Sequence, residues 1–150
     1  MNRTFWLDSH HKPGLLMALM KLFAGTSRIA LEGNLSAGEF SAIPGVVTGR
    51  ADPFHCEFGV PSQMVILPLT SECIREIQRL LFPGGRIVHD VGAIQIEQHG
   101  EIQFMAGDNF HRECVSVGAG VPESLLKNLV EHGILRSYSP AMAIDPGGQR

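Results

Sequence analysis

The chain has 150 residues, 44% of them hydrophobic and 18% charged, and a formal net charge of −3. That length suits one globular domain burying roughly two-thirds of its unfolded surface, and no shift of composition marks a second. The charge excludes a strongly basic nucleic-acid binder, because the 12 Lys and Arg residues are scattered, with no stripe on a helix and no interleaved aromatics.

In chain order, the first predicted element is a helix over Pro13 to Ala24. Leu15, Leu16, Met17, Leu19, Met20, Leu22 and Phe23 wrap most of its circumference, and Lys21 is the charge inside it. A helix apolar all round has to be covered on more than one side. Either it lies in the middle of the domain or its outer face meets a second copy of the chain, so self-association through Pro13 to Ala24 is an expectation. Met17 and Met20 could mark an adaptable partner groove, but methionine at helical spacing reads first as core filling. His10-His11 reads as a solvated lead-in, although adjacent imidazoles could supply a ligand across a dimer. The apolar run is too short to span a bilayer, and the amino terminus lacks the basic, apolar, small-residue order of a secretory signal. A soluble, cytoplasmic protein without membrane association is expected.

Arg28 to Leu31 and Met64 to Leu69 read as buried strands, with Val46-Val47 and Cys56-Glu57-Phe58 as short ones between them. Gly33, Gly38, Pro44, Gly45, Gly49, Pro53, Gly59 and Pro61 interrupt this region so often that it reads as meandering strands and loops on a sheet edge. A second helix follows over Ser71 to Phe82. Thr70 or Ser71 caps it, Cys73, Ile74, Ile77, Leu80 and Leu81 face inward, and Pro83-Gly84-Gly85 ends it.

From Gly85 to Tyr138 the pattern specifies a strand at Arg86-Ile87-Val88, a β-hairpin, a polar segment, another strand and a last helix. In the hairpin Ile94, Ile96, Ile102 and Phe104 alternate with Gln95, Glu97, Glu101 and Gln103. A two-residue turn at His99-Gly100 would mix apolar and polar residues on each face. A three-residue loop, Gln98-His99-Gly100, sets Ile96 opposite Ile102 and Ile94 opposite Phe104, leaving one buried face and one wet face. That pattern belongs to an antiparallel sheet covered on one side. The last helix runs from Pro122 to His132, with Glu123 in its first turn, an apolar stripe at Leu125, Leu126, Leu129 and Val130, and Gly133 as its stop. The recurring order of helix, Gly and short strand lacks the fixed period of duplicated units. The domain is expected over 1–140, with 141–150 a flexible tail.

The chemistry-bearing segment is Asp108-Asn109-Phe110-His111-Arg112-Glu113-Cys114. In an extended chain His111 and Glu113 share a face and Cys114 takes the other. With His89 and Asp90 at the end of a neighbouring strand, two His, an Asp and a Glu could hold a divalent metal such as zinc with an open position, as a metal-dependent hydrolase requires. On that reading His89, Asp90, His111 and Glu113 are metal candidates, and Asp108, His111 and Glu113 catalytic ones. No pair has the helical i, i+4 spacing that makes such a set specific. A structural reading is more economical: Asp108-Asn109 opens a turn, Phe110 plugs the core, and the rest are satisfied polar groups. A Cys114–His111 nucleophilic pair is disfavoured, because strand neighbours of opposite parity do not face each other. Cys56, Cys73 and Cys114 form no zinc spacing, fit reduced thiols, and read as small core residues. Gly118-Ala119-Gly120 before the last helix resembles a phosphate cradle but lacks the lysine and spacing of one. Ser124 stands in no nucleophile elbow.

The residues therefore imply an α+β fold, with an antiparallel, meander-like sheet covered on one face by two to three helices. The function they imply is that of a small, non-catalytic binding or accessory protein without a cofactor, self-associating and holding a protein partner or small ligand. A metal-dependent hydrolase is the alternative.

Overall fold

The computed structural model describes residues 4–35, 38–49, 51–54, 63–87, 91–107, 111 and 115–141. In chain order the elements are β1 (Thr4–Ser9), α1 (Lys12–Leu22), β2 (Ser27–Gly33), α2 (Gly38–Ser41), β3 (Val47–Thr48) and β4 (Gln63–Pro68). They continue with α3 (Ser71–Leu81), a 3-10 turn (Pro83–Gly85), β5 (Val91–Gln98), β6 (Glu101–Ala106), β7 (Val115–Val117), α4 (Glu123–Glu131) and β8 (Leu135–Ala141). The strands form one eight-stranded sheet in the order β3-β4-β2-β5-β6-β7-β1-β8. Every neighbouring pair is antiparallel, so the fold is α+β with a meander at its centre.

Parity along the strands decides which side chains meet the helices. Phe5 and Leu7 of β1, Ile29 and Leu31 of β2, Val65 and Leu67 of β4, Ile94 and Ile96 of β5, and Phe104 of β6 join one core. Onto it pack Leu15, Leu16, Leu19 and Met20 of α1, Cys73, Ile74, Ile77 and Leu81 of α3, and Leu126 and Leu129 of α4. Each helix has a local cause. The imidazole of His11 caps α1, Nδ1 accepting from the Gly14 N–H at 2.9 Å; Thr70 Oγ1 caps α3, accepting from the Cys73 N–H at 3.1 Å. The end of α4 is a Schellman turn, in which the Ile134 N–H donates to Leu129 O at 2.9 Å and the Gly133 N–H to Val130 O at 3.1 Å.

Several expectations are corrected. Of the apolar residues of α1, Leu15, Leu16, Leu19 and Met20 are fully buried within the chain, whereas Leu22 is 40% exposed, so its apolar circumference is not buried all round. The buried strands expected at Arg28 to Leu31 and Met64 to Leu69 are β2 and β4, both inside the sheet, and of the described residues in that region β3 forms the edge. Strand β1 is an addition: Phe5 and Leu7 alternate with Trp6 and Asp8, a short run that the stronger helix pattern behind it overshadows. Arg86 and Ile87 lie outside any strand. Ala141, assigned to a tail, ends β8, paired with Thr4. The short strand expected at Cys56-Glu57-Phe58 and the tail beyond 141 lie outside the described residues.

The hairpin register also differs. His99 (φ 54°) and Gly100 (φ 84°) form the two-residue turn, a pair of left-handed residues whose twist suits a hairpin. Gln98 faces Glu101, Glu97 faces Ile102, and Ile96 then faces Phe104, so Gln103 is the extra residue of a β-bulge. The bulge, rather than a longer loop, restores the separation of faces.

The expected wet face is not wet throughout. Gln95 and Glu97 are buried, and over β2 and β4 the outer face carries a small second core of Ala30, Met64 and Ile66 under Phe54, with Ala51 and Ile102 beside it. Pairing carries one outer row across all eight strands: Ser139, Trp6, Ser116, Met105, Gln95, Ala30, Ile66 and Val47.

Candidate functional site

Two short segments far apart in sequence meet at an open cavity of about 290 Å³, lined by His10, His11, Lys12, Pro13, Gly85, Arg86 and Ile87. The first segment is fixed by backbone bonds: the N–H groups of His10 and His11 both donate to Ile134 O, at 2.9 and 3.0 Å. This places the start of α1 against the end of α4. The second segment is delivered by the 3-10 turn that closes α3.

The chemistry of the lining is one-sided. Among the described residues it contains no Asp or Glu, while Lys12 and Arg86 are basic and the two imidazoles add ring nitrogens. The Nδ1 atom of His11 accepts the Gly14 N–H, so a neutral ring carries its proton on Nε2 as a donor. A Cβ at residue 14 would sit 2.7 Å from that Nδ1, so a residue without a side chain is needed for the ring to reach its cap. Lys12 engages a partner of its own. Arg86 is exposed and has no carboxylate partner among the described residues. A planar guanidinium of this kind suits carboxylate and phosphate oxygens.

A second, smaller groove lies on the outer sheet face, about 190 Å³ in volume, lined among others by Thr4, Trp6, Ile102, Met105 and Ser116. Its described lining residues carry no charge, and its Trp6 is 44% exposed.

Of the residues proposed for metal or catalytic work, His89, Asp90, Asp108 and Glu113 lie outside the described residues, as do Cys56 and Cys114. His111 is described and exposed. Among the described residues no group of three or more His, Cys, Asp or Glu is placed to hold a metal ion. Cys73 is a reduced, buried core residue, its thiol near Pro44 O at 3.5 Å. At Gly118-Ala119-Gly120 the backbone is already committed: the Gly120 N–H donates to Gln103 Oε1 at 2.8 Å, and the Gly118 N–H to Gln103 O at 2.8 Å. The bulge residue thus occupies the place an anion would take. No helix among the described residues is long and apolar enough to cross a membrane.

The sequence reading singled out His10-His11 but not Arg86. The pairing of residues 10–13 with 85–87 depends on the bond to Ile134 and the end of α3, which no local spacing reveals. Compared with known proteins, the chain matches no family model, no curated sequence and no solved structure.

Proposed function

We propose that the protein is a non-catalytic binding protein that holds a compact anionic small molecule in the cavity between residues 10–13 and 85–87. One observation carries the reading: among the described residues the lining holds Lys12, Arg86 and two imidazoles and no acid, in a chain whose net charge is −3. Local charge opposite in sign to the whole concentrates small anions at that point. The volume, about 290 Å³, lies at the small end of ligand cavities, which favours a ligand carrying one or two phosphate or carboxylate groups over a nucleotide-sized one. Self-association belongs to the same proposal, supported by Leu22 of α1, which is 40% exposed, beside the half-buried Met17 and Ala18.

Titration calorimetry with inorganic pyrophosphate tests the site. Binding to the wild-type chain is expected to weaken by roughly tenfold or more in Arg86→Gln, which removes the charge and the paired donors while leaving an exposed polar side chain. Identical titrations of the two proteins, or no binding to either at low ionic strength, would remove the proposal.

A further inference from the structure

We infer that His11 ties the cavity of residues 10–13 and 85–87 to the first turn of α1: one neutral ring caps the helix through Nδ1 and gives its Nε2–H to the bound anion, with Gly14 as the residue that positions it. This rests on the anion reading above and names the donor that recognises the ligand. The backbone beside the cavity is largely engaged. The N–H groups of His10 and His11 donate to Ile134 O at 2.9 and 3.0 Å, that of Leu15 donates to His11 O at 3.0 Å, that of Gly14 donates to the His11 ring, and Pro13 has none. An anion there is met mainly by side chains rather than by open N–H groups of a helix start.

Among those side chains the His11 ring has an orientation that the fold determines. Its Nδ1 accepts the Gly14 N–H at 2.9 Å, and an accepting nitrogen carries no proton, so the proton of the neutral ring sits on Nε2. The ring lines the cavity and makes no second hydrogen bond among the described residues, which leaves Nε2–H as the donor for a ligand. Gly14 maintains this arrangement by its lack of a side chain. A Cβ there would meet Nδ1 at 2.7 Å and the Cδ1 and Cγ1 atoms of Ile134 at 3.4 Å, so the ring is the neighbour that a side chain at residue 14 displaces. A proton on Nδ1 would remove the acceptor that α1 uses. The anion is therefore met by imidazole rather than imidazolium, with Lys12 and Arg86 of the same lining supplying the positive charge and His10 beside them. A ring fixed on Nε2 by an anion is also fixed on its cap, and by reciprocity a ring held on its cap is the better donor.

Calorimetry with inorganic pyrophosphate and proton–nitrogen correlation spectra of the histidine rings test this on the whole chain at about pH 8, above the ordinary histidine range. In the wild type the His11 ring is expected to carry its proton on Nε2 alone, free and with pyrophosphate bound, and the Gly14 amide to exchange several-fold more slowly in the complex. His11→Ser keeps a good cap, since a serine oxygen accepts the same N–H, but brings no donor to the cavity. It is expected to bind pyrophosphate roughly tenfold more weakly, without slowing of Gly14 exchange on binding. Gly14→Ala is expected to give a mixture of His11 tautomers and to weaken binding by a similar factor. A folded His11→Ser protein that binds as tightly as the wild type would overturn the donor, and a wild-type complex with a proton on His11 Nδ1 would overturn the link to the cap. An unchanged ring spectrum and affinity in Gly14→Ala would overturn the positioning role. If the wild type bound no pyrophosphate, the anion reading and this inference would fall together; binding that Arg86→Gln weakens and His11→Ser does not would remove this inference alone.

Discussion

Gln103 shows how much one residue can settle. Buried at the bulge of β6, it uses its backbone oxygen for Gly118 and its side-chain oxygen for Gly120, and so fixes the entry to α4, an element 20 residues further on that starts at Glu123. Its importance was not legible, because the alternation around it only marks Gln103 as a polar strand position, and its partner lies 17 residues away. Thr70 is the opposite case. A hydroxyl just before an amphipathic run announces a cap by itself, and the hydroxyl indeed accepts the Cys73 N–H. Thr70→Ala is expected to lower unfolding free energy by about 1 kcal/mol, read as a shift of the urea midpoint with unchanged slope.

At the scale of elements, the three longer helices were readable to within a residue or two, since their signals are local: caps, periodic apolar positions and a Gly stop. The hairpin was readable in its faces but not in its register. Its turn depends on His99 and Gly100 both adopting positive φ, a conformation that His adopts less readily than Asn. Gly100→Ala forces a side chain into that region and is expected to cost about 1–2 kcal/mol. His99→Asn should instead leave stability equal or raise it by a few tenths of a kcal/mol, in line with the Asn-Gly preference of this turn. Denaturant titration of the two variants separates the outcomes. The same turn supplies the Gly100 N–H that orients Glu97, whose other carboxylate oxygen accepts Arg28 Nε at 2.7 Å, so loosening it should also loosen Arg28.

On the scale of the whole molecule, what the sequence concealed is insertion. β2 enters between β4 and β5, and β1 between β7 and β8, and both placements rest on pairings that only the complete sheet can reward. The candidate site was concealed for the same reason: residues 10–13 and 85–87 share a cavity without sharing a motif. The reading built on His89, Asp90, Asp108, His111 and Glu113 drew on residue types within strand and turn segments, where spacing alone does not fix which side chains converge. Self-association belongs to this scale too. Light scattering is expected to give twice the chain mass, and Leu22→Glu, at an exposed position that costs the fold little, is expected to return it to the single-chain value. A wild-type chain that scatters as a monomer at high concentration would withdraw that part of the proposal.

Thr4 and Ala141 face each other across the β1–β8 ladder, reinforced by the Thr4 hydroxyl donating to Ala141 O at 3.2 Å over a separation of 137 residues. Covalently splicing these neighbours and cutting a loop elsewhere would turn the most distant contact among the described residues into an adjacent one. Such a circular permutant keeps the same core while shedding its most entropically expensive ring closure, so its refolding should be faster than that of the native connectivity.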